Sequence, residues 1–551
     1  AGFNQNFVRT VDSSNVAAGT LTITNPINTA PTTIEIDPEM AAEVAWLTRR
    51  IIFEAELDGP SQLHGGHLII YFTPGIAQRL EGVEIRSFGQ QGNHGRYPIH
   101  FHMSGNVRGS VVRKNVIRSS KQRCVIIHGS NEVMVEDNVT YDTVGHCYGV
   151  EDGAETDNTF QGNLGVYNKR PSRGIGGTDS QASIFWITNT KNHFIGNVAV
   201  GIIGYWFELN REVGGLSATL PENKGIRPLY LPLYTFDNNT GHSCRTGIQT
   251  YGPGWFNSDD KVFEGLKSYR NNQGFFMHGT ANLKIQNGFF ADNGISLTSY
   301  GNQIKPNIIA SSTFIGIPER YRGTKCASGM TGIHFGLESL KTQIHIHDTF
   351  FSGFGNMTAG CQTNGVALRQ GGDSNHLRPP HVMPIVSNLT FDTNMVYAFD
   401  IKLASKLFDR NIFFEDPDGG MNPSGNPGFF INGIPSDHMT IFLENGACSV
   451  FPGSSYAQFC ENICLRKLVV WGAHKMVVKS DNDPTKIIAI ERNVFSNRYW
   501  HNNIELILPA GNFNVDFIDP ESGQIVIPGD DDITYSFGTA PHCTSHISSE
   551  S

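Results

Sequence analysis

Between Arg96 and Glu155, ionisable side chains recur at a fixed interval. His100, Arg123 and His146 follow one another at steps of 23 residues. Cys124 and Cys147 share that step, as do His128 and Glu151, and Gly129 and Asp152. The residues around them form short strand-like runs such as IHFH, CVIIHGS and HCYGVED. A period of this length means one small supersecondary unit per repeat, which buries its apolar side only by stacking on its neighbours. The expectation is a solenoid of β coils with a dense polar site on one flank.

The rest of the chain fits that reading. At 551 residues it is long for a single globular core, a limit that a solenoid escapes. Charged residues make up only 17% and Gly contributes 60 positions, which suits short strands joined by tight turns. From Arg49 onward, runs of four to six residues such as HLIIYF, GVEIRS, SIFWITN and LKIQNGFF alternate with Asn or Gly. An Asn-apolar dipeptide recurs at Asn115, Asn138, Asn163 and Asn197. An Asn at the same corner of each coil can bond the turn backbone and stack on the next Asn. The segments Gly174 to Gln181 and Gly214 to Pro228 look like loops bulging from single coils.

The class expected is therefore all-β: a parallel β-helix solenoid over 51–440 carrying the site. Residues 1–50 form an N-terminal β cap or a partial accessory domain. Beyond Ile463, runs such as RKLVVWG, HKMVVKS and KIIAIER alternate with turn signals. Residues 441–551 are accordingly expected to be a C-terminal antiparallel β-rich cap, because a bare terminal coil is an exposed strand edge.

The net charge of −10 and the lack of a basic stripe argue against a nucleic-acid partner. An acidic polymer would need a local basic patch, for which Arg96, Arg118, Lys121, Arg123, Lys169 and Arg170 are the candidates. No apolar run is long enough to span a membrane. No basic segment leads into an apolar run at the start, so the chain reads as a mature protein or an excised piece of a longer one. Nine cysteines without a paired zinc-ribbon spacing, and sequons at Asn138, Asn238, Asn356 and Asn388, favour a secreted or cell-surface glycoprotein. Asn138 belongs to the corner series, so glycosylation is expected at Asn238, Asn356 and Asn388. One coil spacing suits a disulfide between Cys124 and Cys147, although two small buried thiols would also fit.

If 23 residues make one coil, His100, Arg123 and His146 stack in one column, and Lys169 continues the series numerically. His128 and Glu151 stack in another, with Asp152 beside them. His102 projects from the same side of its strand as His100. Such a set offers a divalent metal of unassigned identity the ligands His102, His128, His146 and Asp152 or Glu151. It equally offers acid–base groups, and Arg96 and Arg123 as clamps for a substrate carboxylate. Lys169 and Trp206 are further candidates for substrate binding, and Tyr205 and Trp255 for stacking on sugars. Taken singly, each His is at home as a hydrogen-bonded core group. Seven such groups in phase point to a site.

HGGH at 64–67, TPG at 73–75, GQQGNHGRYPIHFHMSG from Gly89, RCVIIHGS from Arg123 and GHCYGVEDGAE from Gly145 resemble the cell-surface hyaluronidase family. The same motifs resemble the fibrocystins. The resemblance runs from about Arg49 to Lys169 and is architectural beyond that. It implies a right-handed parallel β-helix in an extracellular setting. One branch implies an enzyme that depolymerises hyaluronan, with His100, His102, Arg123, His128, His146, Glu151 and Asp152 carrying the chemistry. The fibrocystin branch implies a structural or adhesive β-helix of a cell-surface, ciliary or filament protein. The expected partners are a polysaccharide or other extracellular polymer, with self-association as a further route.

Overall fold

The structure, a computed structural model, describes residues 7–27, 40, 43–57, 62–176, 178–252, 254–256, 259–300, 306–316, 330–336, 344–354, 366–371, 385–392, 399–401, 413–422, 424–432, 448–450, 457–461, 465–471, 475–480, 483–490, 503–509, 513–518, 522, 524–526 and 534–537. The chain forms two compact units. The first comprises Ala1–Tyr251, Leu266–Phe276 and Ala291–Gly294; the second comprises Gly252–Gly265, Met277–Phe290 and Ile295–Ser551.

In the first unit each coil lays down strands on three faces, and every face is a parallel ladder. The first face runs from Ile69–Tyr71 through the start of Ile99–Arg113 and of Val125–Glu136. It continues through Tyr148–Val150, Ser183–Ile187, Ile203–Phe207 and Thr246–Thr250. The second face takes Arg79–Glu81, the ends of those two long strands, Thr159–Gln161, His193–Ile195 and Thr235–Asp237. The third runs from Ile51–Glu54 through Val83–Arg86, Val116–Arg118, Val139–Val144, Leu164–Lys169 and Val198–Val200 to Thr240–His242 and Lys267–Tyr269. This is the parallel β-helix that the repeat predicts.

Alternation along each strand sends one side chain in and the next out. Inside, aromatic rings repeat coil on coil: Phe160 on Phe194 at 4.9 Å, and Phe185 between Tyr148 at 5.0 Å and Tyr205 at 4.8 Å. At one corner the expected Asn ladder is present and fully buried. Asn115, Asn138, Asn163, Asn197 and Asn239 pass one hydrogen bond to the next, amide to carbonyl, at 2.9–3.0 Å. Each Asn Oδ1 from Asn138 onward also accepts the backbone N–H of the preceding rung. Each Nδ2 reaches a strand carbonyl, such as Val135 O from Asn163 at 2.8 Å. The residue before every rung has a positive φ (Lys114, Asp137, Gly162, Gly196 and Asn238), so the corner is a left-handed turn repeated five times.

The ladder decides the fate of the sequons. Asn138 is 0% exposed, whereas Asn238 and Asn388 lie exposed at turns, each with positive φ. Asn356 lies outside the described residues.

The N-terminal segment holds an antiparallel hairpin, Val11–Asn15 with Thr20–Ile23. Glu43 meets His242 at 2.9 Å, and Arg49 Nε donates to Lys114 O at 2.7 Å. In the second unit parallel ladders continue, for example Ile295–Tyr300, Thr331–Gly336, Val366–Gly371 and Phe399–Ile401. Parallel pairing gives way to antiparallel pairing at Phe413–Asp416, which meets Gly428–Asn432. Two antiparallel sheets follow. One is built on Leu465–Trp471 and the other on Lys475–Ser480. Among the described residues no helix is long and apolar enough to cross a membrane.

Replacing Asn163 with Ala should leave the buried Asn138 N–H and Val135 carbonyl unpartnered. The expected cost is about 2–6 kcal/mol, from ~1–3 kcal/mol for each of the two orphaned groups. Urea unfolding checks it, with exposed Gln161→Ala expected to change stability by less than about 0.5 kcal/mol.

Candidate functional site

The site lies on the outer side of the first face, and a change of register builds it. Along Ile99–Arg113 the offset to the next coil is 26 at His102↔His128, 25 at Gly105↔Ser130 and 23 at Ser110↔Val133. Two bulges absorb the difference, the first beside Met103, whose φ is +51°. A bulge takes up an extra residue on one strand without breaking the sheet. His100 is therefore not above Arg123, as a uniform step of 23 predicts. It pairs with Ile126, and His102 pairs with His128. The 23-residue step does hold one coil further on, where Val125 pairs with Tyr148. His128 then precedes Glu151 in register, and Cys124 is disulfide-bonded to Cys147 with Cα atoms 4.5 Å apart.

Glu151 is the hub. Its Oε1 accepts from Tyr97 Oη at 2.7 Å and Arg123 Nη1 at 2.6 Å, and it meets His94 Nε2 at 2.9 Å. Its Oε2 is buried with no hydrogen-bond partner, 3.8 Å from His100 Nε2 and 3.6 Å from His128 Nδ1. Burial pushes the Glu151 carboxyl upward in pKa, but the His94 hydrogen bond and the Arg123 charge outweigh it and hold the group well below the usual carboxylate range.

His100 and His128 face that bare oxygen, and His102 joins them through His128. His100 Nδ1 lies 2.9 Å from Gly95 O, His102 Nδ1 lies 3.1 Å from His128 Nδ1, and His128 Nε2 lies 2.7 Å from Asp152 Oδ2. One ligand atom from each of His100, His102 and His128 falls within 4.8 Å of the others. Burial pulls His100 down to about 4, and burial with the neighbouring His128 charge pulls His102 down. Burial also pulls on His128, but its bond to Asp152 and the Glu151 charge raise it overall. His102 is half-buried, and Tyr71, 67% exposed, stacks on it at 5.3 Å.

Asp152 is held in its turn. Its Oδ2 also accepts Ser217 N at 2.9 Å, from the inserted loop. A side chain at Gly215 would put its Cβ 2.1 Å from Asp152 Oδ1, and φ there is +51°. The loop approaches this closely only because residue 215 lacks a Cβ. Buried Glu155 bonds the backbone N–H groups of Gly129 and Gly153 at 2.9 Å each, fixing the turn below.

Several expected roles change. Arg123 is 3% exposed, bonded to Glu151 and, through Nη2, to Asp179 at 2.9 Å, and it lies 4.4 Å over the Trp186 ring. It anchors the site and is not open to a substrate carboxylate. His146 does not join the triad and is not placed as a metal ligand beside His102 and His128. It accepts Ser183 N at 3.1 Å, stacks on Trp186 at 4.6 Å, and burial pushes it down to about 3. Lys169 pairs with Val144, not with His146, because that coil is 25 residues long at this point. Its ammonium goes to Asp142 at 2.6 Å. Trp206, Tyr205 and Trp255 are all buried, so none offers a face to a sugar. Arg118 is committed to Glu84 at 2.6 Å. Arg96 is exposed, with Nη1 2.6 Å from His67 Nε2. The structure adds five partners beyond those the sequence motifs mark: His94, Tyr97, Glu155, Asp179 and Ser217.

Residues 63–248 match the family model described as the CEMIP β-helix. This segment belongs to the CEMIP β-helix family. It contains every residue of the site. The chain is similar to Communication mutant protein F of Dictyostelium discoideum, at 29% identity over 74% of this chain and 41% of that protein. It is similar to the human Cell surface hyaluronidase CEMIP2, at 28% identity over 51% of this chain and 26% of that protein. The chain thus spans less than half of either relative. Among solved structures it is similar to the A-module of the mannuronan C-5 epimerase AlgE4 of Azotobacter vinelandii. That likeness has 11% identity, covers 60% of this chain and 95% of that one, and has a TM-score of 0.31, too low to bear on function.

Arg123→Met should leave Glu151 and Asp179 buried without their shared counter-charge. The expected loss is about 3–5 kcal/mol, measured as a lower urea midpoint. An unchanged midpoint would show that the two carboxylates find other partners.

Proposed function

We propose that this chain is an extracellular, polysaccharide-active β-helix protein that acts on uronic-acid glycans of the hyaluronan kind. The observation that carries the reading is the presentation of Glu151. Three donors fix one of its oxygens, and the other stays bare against His100 and His128. A buried carboxylate with an unused oxygen costs stability, so its retention argues for chemistry.

The rim supports a sugar acid. Tyr71 offers an exposed ring beside His102, and a flat aromatic face suits stacking on a pyranose. Arg96 is exposed on the same loop as His94, and a guanidinium matches a carboxylate in two-point geometry. Arg173 packs against Gly92 of that loop, and Ser172 is bonded to Gln91 at 2.9 Å. Membership of the CEMIP β-helix family, and a human relative named a cell surface hyaluronidase, favour hyaluronan as the first polymer to test.

Within this reading Glu151 is ionised, so it is not the general acid of a glycosidase. Asp152 is committed to His128 and Ser217. The paired free carboxylates of hydrolytic sites are therefore not the favoured scheme. His102, the half-buried member, is the group that meets substrate, with the Glu151 cluster stabilising charge behind it. One observation favours a structural or adhesive role instead: the Arg123–Glu151–Asp179 charges are partnered within the protein.

Turnover of hyaluronan, chondroitin and alginate, followed by chain length, decides between them. Wild type should shorten at least one polymer. His102→Ala should slow cleavage by about 10²–10⁴-fold, and Tyr71→Ala should act mainly on KM. An unsaturated uronate at the new chain end would identify elimination. Intact polymers with wild type, with or without added divalent metal, would leave the structural reading standing.

A further inference from the structure

We propose that His100, His102, His128 and Glu151 form a binding site for one divalent transition metal, with zinc the best match. The inference does not depend on turnover of any glycan.

The two buried rings are wired for metal at their inner nitrogens. A carbonyl oxygen only accepts, so His100 Nδ1, 2.9 Å from Gly95 O, carries the proton. His100 Nε2 is then a lone pair. It is buried, has no hydrogen-bond partner, and belongs to a side chain 1% exposed. His128 is set the same way. Its Nε2 faces the Asp152 carboxylate at 2.7 Å, so its lone pair sits on Nδ1. Holding the outer N–H of a histidine on a carboxylate or a carbonyl is how proteins orient metal ligands.

The inner atoms converge. His102 Nδ1 and His128 Nδ1 are 3.1 Å apart. Glu151 Oε2, itself unpartnered, lies 3.6 Å from His128 Nδ1 and 3.8 Å from His100 Nε2. Around a tetrahedral zinc with bonds of ~2.0–2.1 Å, neighbouring donors stand about 3.3 Å apart. The separations of 3.1, 3.6 and 3.8 Å bracket that value. Without a cation, the His100 Nε2 lone pair and the Glu151 Oε2 lone pairs stay unpartnered in a buried space, which is unfavourable, while His128 Nδ1 has only its contact with His102 Nδ1. With one, both unpartnered atoms are satisfied together, and His102 and His128 complete the ligand set. Three imidazoles and one carboxylate suit zinc, copper, nickel or iron over calcium or magnesium, which take oxygen ligands.

Asp152 and Gly95 are then positioning groups. Tyr97, His94 and Arg123 hold the far oxygen of Glu151, which leaves Oε2 free to ligate. His102 is the half-buried ligand, so the open side of the ion faces solvent there. A water or a sugar oxygen is the expected further ligand.

The test uses the whole chain, expressed without a histidine tag, stripped with chelator and reloaded with Zn²⁺ or Co²⁺. Elemental analysis after dialysis should give about one zinc per chain. Co²⁺ should give the intense visible bands of a four- or five-coordinate, nitrogen-rich site. His100→Ala and His128→Ala should lose the metal, and Asp152→Asn should weaken binding by about 10–100-fold. Zn²⁺ should also raise the unfolding temperature of wild type in a concentration-dependent way. This readout serves if a variant fails to fold. Three results would overturn the proposal: wild type that retains no zinc and gains no stability from it, a Co²⁺ spectrum like that of the aqueous ion, or equal zinc content in wild type and His100→Ala. Metal bound without glycan cleavage would sink the enzymatic reading alone. Cleavage by a wild type that binds no zinc would sink this one alone.

Discussion

A single buried guanidinium organises the polar flank of this β-helix. Arg123 reaches Glu151 one coil on and Asp179 in the inserted segment, while Tyr97 from the preceding coil also meets Glu151. An isolated charge in such a place would be prohibitive, and each partner alone would be too. Together they are mutually required, so four separate segments must arrive in one arrangement. Burial works against the Arg123 charge, but Tyr97, Glu151 and Asp179 more than offset it and its pKa stays raised. The disulfide between Cys124 and Cys147 lies next to Arg123 and His146 and ties the same two coils covalently. The orientation of Glu151, with one oxygen spent and one bare, follows from this network.

Most of the architecture was legible because the coil repeat is written in residues that cannot move. The Asn corner needs a side chain that both donates and accepts, plus a left-handed residue before it, so the dipeptide series marks the turns directly. The disulfide and the His128–Glu151 pairing follow from the same step. The site was legible in membership more than in geometry. The repeat marks His100, His102, His128 and Glu151, yet a uniform step of 23 puts His100 over Arg123, whereas it pairs with Ile126. The two bulges after His102 are invisible to a count of 23 taken from later residues. Tyr97 carried a usable signal, since it precedes Arg123 by 26 residues, as His102 precedes His128. Asp179 and Ser217 carried none, because they lie in insertions that have no phase.

The interior and exterior of the coils divide the labour of specificity. Inside, stacked aromatics and the amide ladder repeat with little variation and fix the rise between coils. Outside, neighbouring coils carry different residues at matching positions: Tyr71, His102, His128 and Glu151 follow one another on the first face. A constant backbone spacing therefore converts a column of unrelated side chains into a cluster of fixed dimensions, as a preorganised site requires.

That rigidity has a corollary. A stack whose rise is set by hydrogen-bonded ladders cannot bring distant coils together by bending. Any group needed beyond the column must come from a loop inserted between strands. The coil lengths along the Asn ladder show where this happens, rising from 25 residues at Asn138–Asn163 to 34 and then 42. The first long coil carries Asp179 to Arg123, and the next carries Ser217 and Gly215 to Asp152. The core of the site is thus inherited from the repeat, whereas its charge balance and its enclosure depend on two insertions. A β-helix can keep its ladder and its histidines and still differ in chemistry, because the loops that complete the site are free to vary while the coils are not.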